Sequence, residues 1–227
     1  MTTSEDKIPK DEDTAATSFT PRRAPLHEIG RLIHSRIGGS HGLQARYLKN
    51  ESGGRASVAI LRKALNLAPG ESPEIWELTQ VRVPHFTGDE PTKEELAVHT
   101  SMTLYALHQQ SRTEAMYKPG QGLGYAARRL VGTNDENSST RARFNSLVTS
   151  STFSELRHHL RAFISQLRAA GIALDYASLA DDLVRFQTPG GTKSVRLRWS
   201  RQYASFPYPA DSYLEVDLND PIENLEN

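Results

Sequence analysis

The stretch RARFNSLVTSSTFSELRHHLRAFISQLRAAG (141–171) decides the fold. Phe153, Leu156, Leu160, Ile164 and Leu167 recur at three- and four-residue spacing, the period of a helix with one buried face. Ser154 is a candidate N-cap, and Gly171 stops the run. The spacing predicts a helix over 153–170. Just before it, Phe144, Leu147 and Val148 predict a helix over 140–149. Nothing in the stretch alternates with a period of two.

The same pattern extends in both directions. From Pro25, the residues Leu26, Ile29, Leu32, Ile33 and Ile37 mark a helix that ends at Gly38-Gly39. A short helical turn over Gln44–Leu48 follows. Gly53-Gly54 opens another helix, with Val58, Leu61 and Leu65 on one face, before Pro69-Gly70. Pro73 begins a short helix with Ile75, Trp76 and Leu78. Thr92 and Glu95 form a capping box, in which side chain and backbone amide exchange hydrogen bonds. The long helix it opens is expected to bury Leu96, His99 or Thr100, Thr103, Leu104 and Leu107. The loop 117–122 leads to a helix over 123–131. Beyond 171, Leu179, Leu183 and Phe186 mark a helix over 175–187. Val195, Trp199, Gln202 or Tyr203, and Phe206 mark a last one over 192–205. The expected fold is all-α: two packed helical bundles with disordered acidic tails. The polar run 132–139 divides an N-terminal bundle (21–135) from a C-terminal bundle (136–210). The tails are 1–20 and 211–227.

The 227 residues carry 27 bases and 27 acids, and this balance hides an asymmetry. Five acids lie within 1–13 and six within 211–227, against Lys7 and Lys10. Residues 14–210 therefore hold 25 bases and 16 acids, and 20 of those bases are arginine. A basic body between acidic tails points to a polyanionic partner. A GC-rich genome would explain arginine over lysine, but not the excess of bases over acids. The chain has no cysteine, which excludes disulfides and thiolate metal sites. The N-terminus lacks the apolar core of a secretory signal, and no apolar run is long enough to span a bilayer. A cytoplasmic location is expected.

Catalytic patterns are missing. The histidines form no HExxH pair, and His158 and His159 point about 100° apart on a helix. No metal or cofactor is expected. His108 reads as a satisfied, partly buried side chain. Gly120-Gln121-Gly122-Leu123-Gly124 lacks both the preceding strand of a dinucleotide fold and the Lys-Ser/Thr of a phosphate loop, so it reads as a turn opening a helix. Its amides could still meet a phosphate. Asp181 and Asp182 face different ways on their helix and supply no converging pair for two-metal chemistry. The protein is read as not an enzyme.

The basic residues are patterned. On the 153–170 helix, Arg157, Arg161 and Arg168 fall within about 40° of one another. Arg55 and Arg62 share a helix face, with Lys63 beside it, and Arg198 and Arg201 share another. Arg128, Arg129, Arg141 and Arg143 flank the linker. Residues 137–174 hold five arginines against Glu155 alone. A solvated face laced with ion pairs needs more acids than that. Guanidinium groups suit phosphate because their planar fork donates in pairs. No aromatic platform or recognition helix supports base readout, so the expected contact is with backbone.

Several stretches together resemble the CasB family, the small subunit of the type I-E CRISPR Cascade complex. They are GGRASVAILRKAL (53–65), LYALHQQS (104–111), GLGYAARRL (122–130), the 141–167 stretch, LDYASLADDLVRF (174–186) and VRLRWSRQYASF (195–206). The RxRF motif, then ELxxHLR, then LDYxxLxxDL and an Arg-Trp-rich last helix, is the more specific part. Both acidic tails depart from the pattern.

The resemblance implies a non-catalytic helical subunit that packs in tandem with a second copy. Its partners would be the other Cascade subunits, guide RNA and target DNA, and it would hold the displaced non-target strand and so stabilise the R-loop. It carries the binding role onto Arg141, Arg143, Arg157, Arg161, Arg55, Arg62 and Lys63, then Arg128, Arg198 and Arg201. The alternatives are a helical adaptor whose basic face docks an acidic protein, and a helical DNA-binding regulator. Charge alone also suggests that the acidic tails compete with nucleic acid.

Overall fold

A computed structural model describes residues 23–82, 88–132 and 138–205. The acidic tails, Phe206 and most of the 132–139 linker lie outside these residues. The fold is all-α. Among the described residues ten α-helices follow in order: α1 (Glu28–Ile37), α2 (Leu43–Leu48), α3 (Ser52–Lys63), α4 (Trp76–Thr79), α5 (Lys93–Gln109), α6 (Leu123–Val131), α7 (Ser138–Thr149), α8 (Phe153–Ala170), α9 (Tyr176–Phe186) and α10 (Gly191–Ala204). Short 3-10 turns, Ala64–Asn66 and Pro73–Ile75, extend α3 and precede α4. Among the described residues the only β pairing is an isolated bridge between Tyr117 and Leu174.

Helix ends follow local chemistry. Thr92 accepts from the Glu95 amide, and the Glu95 carboxylate accepts from the Thr92 amide at 2.8 Å, which completes the capping box of α5. α8 is capped by Thr152, which accepts from the Glu155 amide at 3.2 Å. The expected cap, Ser154, instead lies inside the helix. Gly171 closes α8 at φ 66°, in the left-handed region that glycine enters without strain.

The centre of the molecule is α5. The expected stripe on α5 is too narrow, because Ala97 to Ala106 are all buried. Leu96 and Leu107 are only half-buried. Neighbours surround the helix: α3, α8, α9, α1 and α4 all pack on it. Small and hydroxyl side chains (Thr100, Ser101, Thr103) let them approach closely. Thr103 keeps its hydroxyl satisfied by donating to the His99 carbonyl at 2.8 Å. α8 buries Phe163 as well as the expected Leu156, Leu160, Ile164 and Leu167.

The Gly-rich segment before α6 serves helix packing. A Cβ on Gly124 would sit 2.1 Å from the Trp199 carbonyl oxygen of α10, so only glycine lets these backbones touch. The Gly124 amide donates to Gln202 Oε1 at 3.1 Å, and the Gly120 amide to Asp175 Oδ2 at 2.8 Å. Those amides are engaged within the chain and are not aimed at a phosphate.

Candidate nucleic-acid interface

The two neighbouring carboxylates of α9 are both committed to packing, in opposite directions. Asp181 reaches α1, where its oxygens accept from the His27 amide (2.8 Å) and the Gly30 amide (2.7 Å). It thus caps a helix whose own N-cap residue, His27, makes no side-chain cap. Asp182 faces α10, accepting from Trp199 Nε1 at 2.7 Å and Arg198 at 2.5 Å. Burial pushes the Asp182 carboxyl up to about 7, although Arg198 and the Trp199 donor pull it down. Asp175, also buried, pairs with Arg23 at 3.0 Å and caps α9 through the Ala177 and Ser178 amides. Among the described residues no group of three or more His, Asp or Glu is placed to hold a metal ion.

The two buried histidines of α5 are held neutral. Burial, with a smaller push from Arg157 nearby, lowers His99 to about 4. Burial likewise lowers His108 to about 4. His108 is fully buried, where the sequence suggested partial burial. Its Nδ1 lies 3.0 Å from the Tyr176 hydroxyl, while Nε2 has no hydrogen-bond partner among the described residues.

The arginines separate into two sets. Several are spent on structure. Arg198 is the partner of Asp182. Arg196 donates to the Thr149 and Ser150 carbonyls at 2.9 and 2.7 Å. Arg168 donates to the Gln110 carbonyl at 2.9 Å, so it leaves the stripe it shares with Arg157 and Arg161. Arg128 lies over the Tyr203 ring, 5.3 Å from its centroid. Arg55 is exposed and donates to Asn50 Oδ1 at 3.1 Å.

Others have exposed side chains. Arg62 and Lys63 are exposed on the last turn of α3, Arg141 and Arg143 on α7, and Arg201 on α10. The fold brings part of this set together. Arg161 donates to Asn66 Oδ1, in the 3-10 turn that continues α3 directly after Arg62 and Lys63. Arg157 and Arg161 of α8, Asn66, and Thr100 of α5 line one groove of about 310 Å³, with Ser154 and His158 at its edge. Arg157 is half-buried, and burial lowers its pKa from the ordinary arginine value. No described residue pairs with its guanidinium. Thr100 Oγ1 is buried there without a hydrogen-bond partner. A partly desolvated cation beside an unpartnered hydroxyl favours an anion, because the anion repays desolvation already incurred. Arg55, Arg62, Lys63 and the α7 pair do not line this groove. Asn66 was not singled out from the sequence, and Thr100 only as a possible core position of α5, since no periodicity on one element reports a wall supplied by another.

Fold and groove define an all-helical protein with a polar, arginine-lined cleft and carboxylates spent on packing. Residues 57–203 match the model of the CRISPR-associated protein Cse2 family, and the chain belongs to that family. The CasB crystal structure from Thermobifida fusca is 32% identical, with a TM-score of 0.66, covering 79% of this chain and 99% of that one. CasB from Thermus thermophilus shares the fold at 23% identity and a TM-score of 0.56, covering 78% and 98%. So does a chain of a structure described as a CRISPR RNA-guided surveillance complex, at 20% identity and a TM-score of 0.56, covering 78% and 94%. No curated protein has a matching sequence. Residues 206–227 lie outside the family match.

Proposed function

We propose that this protein is the non-catalytic small subunit of an RNA-guided DNA surveillance complex in antiviral defence. It binds nucleic-acid backbone in the α3–α5–α8 groove and stabilises the R-loop and the displaced strand. Family membership supports the complex, as does the relative found in a surveillance complex. The observation that carries backbone binding is Arg157, half-buried and without an acidic partner, lining one groove with Arg161. A displaced strand must be gripped whatever its sequence, and phosphate-directed arginines do that. Strand exchange is close to balanced, so a few such contacts decide how long the open state lasts. Guide RNA, target DNA, the other subunits and a second copy are the partners, in the cytoplasm.

The test is to assemble the complex with and without this chain and measure R-loop lifetime on matched DNA. Omission should leave the guide RNA bound and shorten the lifetime. A chain that neither co-purifies with the complex nor changes the lifetime would overturn the proposal, and its basic groove would then belong to an acidic protein.

A further inference from the structure

A second basic surface lies away from the groove, where α6, α7 and α10 meet. These three helices carry eight bases and no acid. Arg198 is paired with Asp182, and Asp135 and Glu136 lie between α6 and α7 in sequence, so bases still outnumber acids here. Arg129, Arg143 and Arg201 are exposed on it. The junction is built around Tyr203. Its ring stacks on Phe144 of α7 at 5.4 Å and lies under Arg128 of α6 at 5.3 Å. α10 ends one residue later, at Ala204. The chain therefore leaves the described fold at the centre of this surface.

What leaves is the opposite in charge. Residues 206–227, FPYPADSYLEVDLNDPIENLEN, carry Asp211, Glu215, Asp217, Asp220, Glu223 and Glu226 and no base. An extended chain spans at most about 3.5 Å per residue, so Asp211 lies within roughly 20 Å of Ser205. The nine-residue α6 is only about 14 Å long, so the surface is within the segment's reach from its first carboxylate onward. Spaced carboxylates on an extended chain present an arginine surface with the same kind of partner that a phosphate backbone does.

We propose that residues 211–227 dock on the α6–α7–α10 surface of their own chain and compete there with nucleic acid. Docking rests on charge, reach and exit point alone; the competition rests on the proposed function. A tethered segment acts at an effective concentration on the order of 1 mM, so an intrinsic dissociation constant of about 0.1 mM would weaken a competing ligand about tenfold. Isolated subunits would thus be kept off stray nucleic acid, and a ligand that also fills the α3–α5–α8 groove would displace the segment.

The chain has no cysteine, so Asn219→Cys gives one site for a spin label on the full-length protein. At 50 mM salt the label should broaden amide signals of α6, α7 and α10, and 0.5 M salt should restore them. Reversing Arg129, Arg143 and Arg201 to Glu should abolish the broadening. Broadening that is absent, spread evenly over the protein, or indifferent to charge reversal overturns docking. In parallel, a chain ending at Ser205, and one with all six tail acids made amides, should each bind a single-stranded oligonucleotide about tenfold more tightly than the full chain. Equal affinities overturn the competition. If no form binds the oligonucleotide while the broadening persists, docking stands and the nucleic-acid reading fails.

Discussion

Replacing Arg157 and Arg161 together by Ala removes both α8 guanidiniums from the groove and leaves the helix with a better helix former. Each phosphate neutralised on a single strand contributes about 0.7 to the slope of log affinity against log salt. At 0.1 M salt that is about 1 kcal/mol, or roughly fivefold, per contact. The double variant should therefore bind a single-stranded oligonucleotide about 25-fold more weakly, with a salt slope shallower by about 1.4. Stability should fall little, because Arg161 is exposed and Arg157 only half-buried. The assay is fluorescence anisotropy between 50 and 300 mM salt, with urea unfolding as the control. In the assembled complex the same pair should shorten the R-loop lifetime. A folded double variant with an unchanged slope would refute the reasoning, since the groove would then hold no phosphate.

Three further outcomes follow from the core. Asp182 is pushed up to about 7 when folded, against 3.8 for an ordinary aspartate carboxyl, so its contribution is full below about pH 4 and is lost as pH rises through 7. The loss is on the order of 4 kcal/mol, and Asp182→Asn should remove it; urea unfolding at pH 4.5 and 8 that shows parallel behaviour for both proteins would sink this. Gly124→Ala must push a methyl onto the Trp199 carbonyl and should cost about 1–3 kcal/mol of stability in thermal unfolding. At pH 8, where Asp182 is ionised, Arg198→Ala should destabilise by about 3 kcal/mol by stranding the buried carboxylate, whereas Arg143→Ala should leave the melting temperature unchanged; equal melting temperatures would contradict the division between structural and solvent-facing arginines.

Much of the fold is written in local pattern. Thr92 and Glu95 announce α5, Gly171 ends α8, and the 3.6-residue repeat of α8 sets which side faces the core. Where the sequence misleads, tertiary contact is the cause. Ser101 falls outside the stripe expected of α5 but is buried, because five helices converge on α5 and small side chains admit them. Thr152 caps α8 although Ser154 sits as near in sequence, because a cap must lie outside the helix and Phe153 is already inside it. The groove is legible by half. Arg157 and Arg161 share a face by helical period, but the other wall, Asn66, comes from a turn some ninety residues away in the chain.

The arginines show why charge counting by itself would not locate a binding surface. Arg168 shares the helical phase of Arg157 and Arg161, yet it is tied to the Gln110 carbonyl and cannot reach a ligand without uncovering that group. Arg198 shares a face with Arg201, yet it is bound to Asp182, one of three buried carboxylates (175, 181 and 182) that hold α1, α9 and α10 together. A phosphate that took Arg198 would leave Asp182 stranded in the core, a cost of several kcal/mol that a contact worth about 1 kcal/mol does not repay. Arg157 is the reverse case. Its desolvation is already incurred in folding, no described carboxylate offsets it, and an incoming phosphate adds attraction at little further cost. Selectivity among like charges would thus come from what folding has left unpaired, and on the proposed function it favours α8 over α10, which carries as many arginines.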